Sequence, residues 1–433
     1  MTYSGEISRM LGSAGAKEGC KISFTSGGKE YTGILMPNDD SRREDVIVIK
    51  MGNGYNAGFT ADPGTKINVL EQPPVKRKEV VAHAPKDGLA NLTLIGTGGT
   101  IGSQAGAGAG ALAPGRSSGD LLEMFPEILK DANIKAIDLF SVLSENMGAE
   151  HWQKMASAAA EELNSGADGV IISHGTDTMG YTAAALSFML QEISGPVVLV
   201  GSQKSPDRPS SDAFVNLKAS VDFCISLIKK KKAGVYAVMH DTMDDSSCAA
   251  HRGTRVRKMH TSRRDAFRSV NTTPVARICA DGDIEFKDAV PDASGKTVAR
   301  TKMEKDVILL QYYPGMDPGL FKDIITCRKG IVIAGSGLGH VSDGIMSLLG
   351  EATDKGAVVV MTSQCINGPT GMNIYDKGRE LQKIGVIPVM DMLPETAYVK
   401  LMWALANTKN AEETMKAILS YEMSDRRTVD VVW

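Results

Sequence analysis

Cysteine is sparse in this chain: Cys20, Cys224, Cys248, Cys279, Cys327 and Cys365 are the only six in 433 residues, and no two stand as a C-x-x-C pair. That spacing argues against a zinc site and against a disulfide framework. Reduced thiols, mostly buried as small apolar side chains, are expected instead. Long hydrophobic runs are also missing, since no apolar stretch approaches the roughly 20 residues that a bilayer crossing needs. The opening residues MTYSGEISRMLGSAG lack a hydrophobic signal core, so a cytoplasmic chain with no membrane partner is expected. Charge of one sign is missing too: 48 Lys and Arg face 51 Asp and Glu, for a net charge of -3. Such a balance exerts no global pull on nucleic acid, and any RNA contact needs a local basic patch or a partner. Helical repeats and heptads are absent. The one low-complexity piece is AGAGAGALAPG at 105–115.

Two rhythms are present. Residues 1–70 carry short alternating strands: KISFTSGGKEYTGILMP turns at Gly27-Gly28, and DVIVIKMGNGYNAGF turns at Asn53-Gly54. A small all-β barrel domain is expected there. Residues 71–90, EQPPVKRKEVVAHAPKDGLA, have neither period and read as a linker. From residue 91 apolar strands at 92–96, 134–143, 169–173, 196–200 and 234–239 alternate with helical stretches at 120–131, 149–163, 178–191 and 212–229. This rhythm predicts an α/β fold with a parallel sheet covered on both faces. A second α/β set follows at 307–315, 330–341, 357–364 and 385–391, with helices near 394–407 and 411–420. The expected division is one lobe over 91–285 carrying the site and a second over 286–433, with 281–306 as the join.

Ligands of such sheets sit outside the C-terminal strand ends, and two polar loops fall there: TGGT after LTLIG, and HGTDT after GVIIS. Neither TGGTIG nor GSGLGHV (335–341) has the spacing of a P-loop or of a dinucleotide fingerprint. Taken alone, the first is equally a structural turn, Asp177 a turn residue, and Thr178 a helix N-cap. Together the loops offer paired hydroxyls, a carboxylate and exposed backbone N–H groups. Those are the parts of acyl transfer: a nucleophile, a proton acceptor and donors for an oxyanion.

TGGTIGS and ISHGTDTM resemble the two signatures of the bacterial-type L-asparaginase/glutaminase family, in the same order and the same strand-loop-helix context. SENM (144–147) resembles that family's substrate loop, and KMHTSRRDAFRS (258–269) the segment with its active-site lysine. The resemblance spans about residues 91–425 and implies a two-lobed asparaginase-like parallel-sheet core. Carried over by position, it makes Thr100 the nucleophile. Thr176, Asp177 and Lys258 become a proton relay, in which a lysine beside an aspartate is held and tuned for proton transfer. Ser144 and Glu145 would hold the α-amino and α-carboxylate groups of an amino-acid amide. Gly99 and Gly175 would line the same pocket. Without the resemblance, Lys258 in the run RVRKMHTSRR reads as a solvated surface lysine. The chain departs from the family in one place. No tyrosine lies between Thr100 and His151, where the family's mobile lid contributes one.

An N-terminal barrel is more than a stand-alone asparaginase needs. Barrel, linker, core and the segment DMLPETAYVKLMWAL (391–405) together are similar to the D-subunit family of archaeal glutamyl-tRNA(Gln) amidotransferases. That resemblance implies a glutaminase without a cofactor of its own. It would pass ammonia to a tRNA-binding E subunit that holds ATP and Mg and converts Glu-tRNA(Gln) to Gln-tRNA(Gln). The implied assembly is a homodimer within a heterotetramer. The absence of a phosphate loop and the balanced charge fit that division, and KKKK at 229–232 reads as a solvated helix end. Two alternatives stay open: a free-standing asparaginase, and a scaffold that has lost activity.

Overall fold

The computed structural model describes residues 3, 5–36, 38, 45–51, 56–61, 65–71, 86–99, 101, 103–105, 112–114, 117–206 and 210–420. The Asn53-Gly54 turn, most of the 71–90 linker and most of the 105–115 segment lie outside them. Of that segment, Ser103–Ala105 pairs antiparallel with Leu112–Pro114.

The N-terminal unit is a five-stranded antiparallel sheet that curls on itself. Lys21–Ser26 and Lys29–Leu35 are joined through Gly27 and Gly28, both at positive φ, which a two-residue hairpin turn requires. Val46–Lys50 and Asn56–Thr60 extend the sheet on one side and Ile67–Glu71 on the other. The Ser26 hydroxyl donates to the Thr60 carbonyl at 2.7 Å, bringing the far edge back over the first strand. The rings of Phe24, Tyr31 and Phe59 fill the resulting interior with Ile22, Ile47 and Ile49, and the helix Gly5–Ser13 buries Ile7 and Leu11 against them.

The large sheet of the next lobe is mixed, not wholly parallel as the rhythm suggests. Five parallel strands stand in the order Ala132–Val142, Ala90–Gly98, Gly169–Ser173, Pro196–Val200, Gly234–His240. Three antiparallel strands follow: Ser247–Arg252, Ala276–Cys279 and Ile284–Phe286. Short turns lead from Gly234–His240 into Ser247–Arg252 and from Ala276–Cys279 into Ile284–Phe286. The longer connection between Ser247–Arg252 and Ala276–Cys279 carries the hairpin of Val256–Lys258 with Phe267–Ser269 instead of a crossover helix, so the strands pair antiparallel. Alternation along the central strands loads both faces. Val170 and Ile172 pack beneath the helices Ala149–Asn164 and Met179–Met189, while Ile171 and Val198 pack beneath Ala213–Lys229. A four-stranded parallel sheet of Val307–Gln311, Gly330–Gly335, Val358–Ser363 and Ile387–Pro388 builds the last lobe. Its helix Pro394–Asn407 shares the core of the first lobe through Leu401, Met402 and Trp403.

Other expectations shift for local reasons. The helix expected over 120–131 is a helix at Ser118–Met124 followed by a 3-10 turn at Pro126–Lys130, because Pro126 has no N–H to continue the ladder. The strand expected over 330–341 ends at Gly335, where Gly337 and Gly339 turn the chain at positive φ. Within residues 281–306 the chain is fastened to the first lobe. Val298–Ala299 pairs with Leu190–Gln191, and Asn164 clasps Thr297 by two hydrogen bonds at 2.9 and 3.0 Å. Only three of the six thiols are buried, namely Cys20, Cys224 and Cys248. Among the described residues no helix is long and apolar enough to cross a membrane.

Candidate active site

Three loops converge at one sheet edge. After the Ala90–Gly98 strand the chain steps out to Ala132–Val142 and returns to Gly169–Ser173 on the other side. The order therefore reverses at Ala90–Gly98, the kind of switch point that opens a crevice at strand C-termini. Its two neighbours end in the Ser144–Asn146 turn and the HGTD loop.

Glycine lets these loops touch backbone to backbone. Gly99 has φ of +77°, and a Cβ there would lie 2.3 Å from the Gly175 nitrogen. A Cβ on Gly175 would lie 2.6 Å from that of Ser144. Thr97, fully buried, gives its hydroxyl to the Ser173 carbonyl at 2.6 Å and ties the two strand ends together. Of the two threonines around Gly98-Gly99, this one is structural. Thr100 lies outside the described residues.

Three of the expected site residues, Thr176, Asp177 and Lys258, come together. Lys258 comes from the hairpin of Val256–Lys258 with Phe267–Ser269, and its Nζ lies 2.8 Å from Thr176 Oγ1 and 2.7 Å from Asp177 Oδ1. Thr176 is buried; the Lys258 side chain is 12% exposed and that of Asp177 67%. Lys258 is thus not a solvated surface lysine, although the run around it is basic. The buried Ser144 hydroxyl lies 3.4 Å from Asp177 Oδ2. Thr178 stands at the helix N-cap position without capping by its side chain; its hydroxyl donates to the Ser144 carbonyl at 2.7 Å. It therefore fastens two loops together. Glu145 is exposed in the same turn and is not drawn into this network.

Residues without a sequence signal hold the site from behind. Arg255, three positions before Lys258, donates to the Asp391 carboxylate at 3.1 Å and to its carbonyl at 2.8 Å. Arg257 pairs with Glu395 at 3.1 Å, and Thr396 donates to the Thr254 carbonyl at 2.8 Å. The hairpin bearing Lys258 is therefore pinned to the second lobe. Beneath the HGTD loop, His174 is fully buried between Gly175 and Thr182. No pattern in the sequence marks Arg255, Asp391 or Thr182, because their partners are distant in the chain or sit behind a turn. Among the described residues no three His, Cys, Asp or Glu side chains gather as metal ligands would.

Taken together, the arrangement can hold a proton-exchanging lysine between a hydroxyl and a carboxylate at the mouth of a glycine-lined crevice. Known proteins share the frame. Residues 91–291 match the family model "Asparaginase, N-terminal", 306–418 "Glutaminase/Asparaginase C-terminal domain", and 16–70 "GatD N-terminal domain". The chain is 48% identical to the D subunit of the glutamyl-tRNA(Gln) amidotransferase of Pyrococcus furiosus, over 90% of both chains. To the D subunit of the same enzyme from Methanothermobacter thermautotrophicus it is 42% identical over 99% of both. Among solved structures it resembles the thermostable L-asparaginase of Thermococcus kodakarensis, with TM-score 0.68 and 31% identity over 76% of this chain and 96% of that one. A probable cytoplasmic L-asparaginase of Campylobacter jejuni gives TM-score 0.66 and 28% identity, over 77% of this chain and 100% of that one.

Proposed function

The chain belongs to the glutamyl-tRNA(Gln) amidotransferase D-subunit family, with an amidohydrolase core of the asparaginase type, and from that premise we propose that it hydrolyses glutamine through a threonine nucleophile and sends the ammonia to a partner. In this reading the Thr100 oxygen attacks the side-chain carboxamide carbon of glutamine. Its proton reaches the departing nitrogen, ammonia leaves, and an acyl ester forms on Thr100. Water then cleaves that ester, releasing glutamate and restoring the hydroxyl.

The single observation that carries this reading is the bridge from Lys258 Nζ to Thr176 Oγ1 at 2.8 Å and to Asp177 Oδ1 at 2.7 Å. Asp177 balances the ammonium charge, and Lys258 exchanges protons with Thr176 as water or substrate is activated. Backbone N–H groups of the Gly175-Thr176 stretch face the tetrahedral oxyanion, whereas that of Gly99 donates to the Val142 carbonyl at 3.2 Å and only lines the pocket. Ser144 and Glu145 hold the α-amino and α-carboxylate groups. The reaction needs no cofactor in this chain. ATP and Mg act on the partner E subunit, which activates Glu-tRNA(Gln) and consumes the ammonia. The complex works in the archaeal cytoplasm as a homodimer of this chain flanked by two partners.

The test is ammonia release from glutamine by the chain alone, with the partner, and with partner plus Glu-charged tRNA(Gln). A slow rate alone and a much faster one in the full complex is expected, because a glutaminase that feeds a partner wastes its substrate when uncoupled, and a partner that favours the competent state raises the rate. Equal rates in all three would overturn coupling and favour a free-standing asparaginase.

A further inference from the structure

Beneath the HGTD loop runs a chain of hydrogen bonds whose proton positions are fully determined. Trp152 Nε1 lies 3.0 Å from Thr182 Oγ1, Thr182 Oγ1 lies 2.9 Å from His174 Nε2, and His174 Nδ1 lies 2.6 Å from the Gly175 carbonyl. An indole N–H only donates and a carbonyl only accepts. His174 Nδ1 therefore carries the ring proton, and the Thr182 hydroxyl accepts from Trp152 while donating to Nε2. His174 and Thr182 are both fully buried. Burial pushes the imidazole pKa down to about 4, so the ring stays neutral and keeps this single tautomer.

The Gly175 carbonyl belongs to the peptide that carries the Thr176 N–H. That peptide is trans and planar, so its carbonyl and its N–H point in opposite directions. Drawing the carbonyl down onto His174 aims the N–H up, away from the core. Among the described residues no acceptor takes the Thr176 N–H. We propose that His174, held by Thr182 and Trp152, is a positioning residue that fixes the Gly175–Thr176 peptide so that the Thr176 N–H is preset for the oxyanion of the amide reaction. The inference rests on the hydrolytic reading of the site and adds to it the device that aligns its donor. Pre-alignment matters because an oxyanion donor contributes through its geometry before the charge develops. His174 is fully buried beneath the loop and acts through the Gly175–Thr176 peptide.

Two substitutions separate positioning from mere support. In His174→Asn the side-chain amide nitrogen sits where Nδ1 does and still donates to Gly175. In His174→Gln the amide reaches toward Thr182 and leaves the Gly175 carbonyl without its donor. In the full chain with its partner, His174→Asn is expected to keep kcat for glutamine within about threefold. His174→Gln is expected to lose about ten- to a hundredfold in kcat with KM little changed, the mark of an interaction made in the transition state. Equal losses in the two variants, or losses that follow their melting temperatures, would overturn the proposal. Thr182→Val, which frees His174 Nε2 while keeping shape, provides a second reading: a several-fold fall in kcat is expected, and an unchanged kcat would overturn the proposal. Thr176→Ala serves as control. Near-full activity there would refute the hydrolytic reading itself, whatever the His174 variants do.

Discussion

Two ion pairs lie three residues apart on one segment of chain and have opposite designs. Arg255 and Asp391 are sealed, 1% and 3% exposed, and join the two lobes. Lys258 and Asp177 are 12% and 67% exposed, and face the crevice. In the sealed pair Arg255 also donates to the Asp391 carbonyl, which accepts from the Asn271 side chain as well. The open pair leaves one carboxylate side toward solvent and ties its lysine to a hydroxyl. A buried pair resists change, because removing one partner strands a charge. A half-open pair contributes little to folding and keeps its proton available. The same chemistry, a cation against a carboxylate, serves as anchor in one place and as proposed machinery in the other.

The comparison predicts a separation of effects. Lys258→Met should reduce ammonia release at least about a thousandfold, as when one member of a catalytic unit is lost. Its melting temperature should change little, and a mild loss of activity measured on the folded variant would leave Lys258 a structural partner of Asp177 only. Arg255→Met should behave in reverse: denaturant unfolding should show a loss of about 3–5 kcal/mol, the usual result of orphaning a buried charge. A variant as stable as the parent would mean that the remaining contacts between the lobes, such as Arg257 with Glu395 and Thr396 with Thr254, suffice to hold them.

Acid sharpens the same contrast, because buried neutral imidazoles behave like sealed pairs. Burial lowers the pKa of His174 to about 4 and that of His251 to about 3. Between those values and the ordinary 6.5 of an unfolded histidine, the unfolded chain binds more protons. Stability therefore falls as pH drops through that window and is recovered as pH rises above it. Melting curves from pH 7 to 4 should show this fall, and replacing His251 by Asn should flatten it. A melting temperature constant over that range would contradict the assignment. The smallest effect is expected at Thr97. Thr97→Val deletes the buried bond to Ser173, costing about 1 kcal/mol, while ammonia release should stay within about threefold. A large loss of activity would give Thr97 a chemical role that its geometry denies.

Much of this is legible in residue order. Alternating apolar strands and amphipathic helices carry the two α/β lobes, and Gly27-Gly28 marks the first hairpin because only such residues accept its backbone. The Thr176–Lys258–Asp177 meeting is legible through family likeness, since TGGT, HGTD and KMHTS are local strings. What stays hidden is long-range. Arg255 and Asp391 are 136 positions apart, and no local period encodes their meeting. The antiparallel edge of the large sheet escapes a reading by periodicity because its strands Ser247–Arg252, Ala276–Cys279 and Ile284–Phe286 are short and mix polar with apolar residues. Thr178 reads as a cap because its local context is that of a cap, whereas its hydroxyl is drawn to Ser144 on another loop.

The most direct test of the central claim is peptide mapping after exposure to a glutamine analogue with an electrophilic carbon in place of the amide. In the parent chain the account predicts a covalent adduct on the peptide containing Thr100, greatly reduced in Lys258→Met. An adduct on Thr176 instead, or labelling of Thr100 that is indifferent to Lys258, would contradict it.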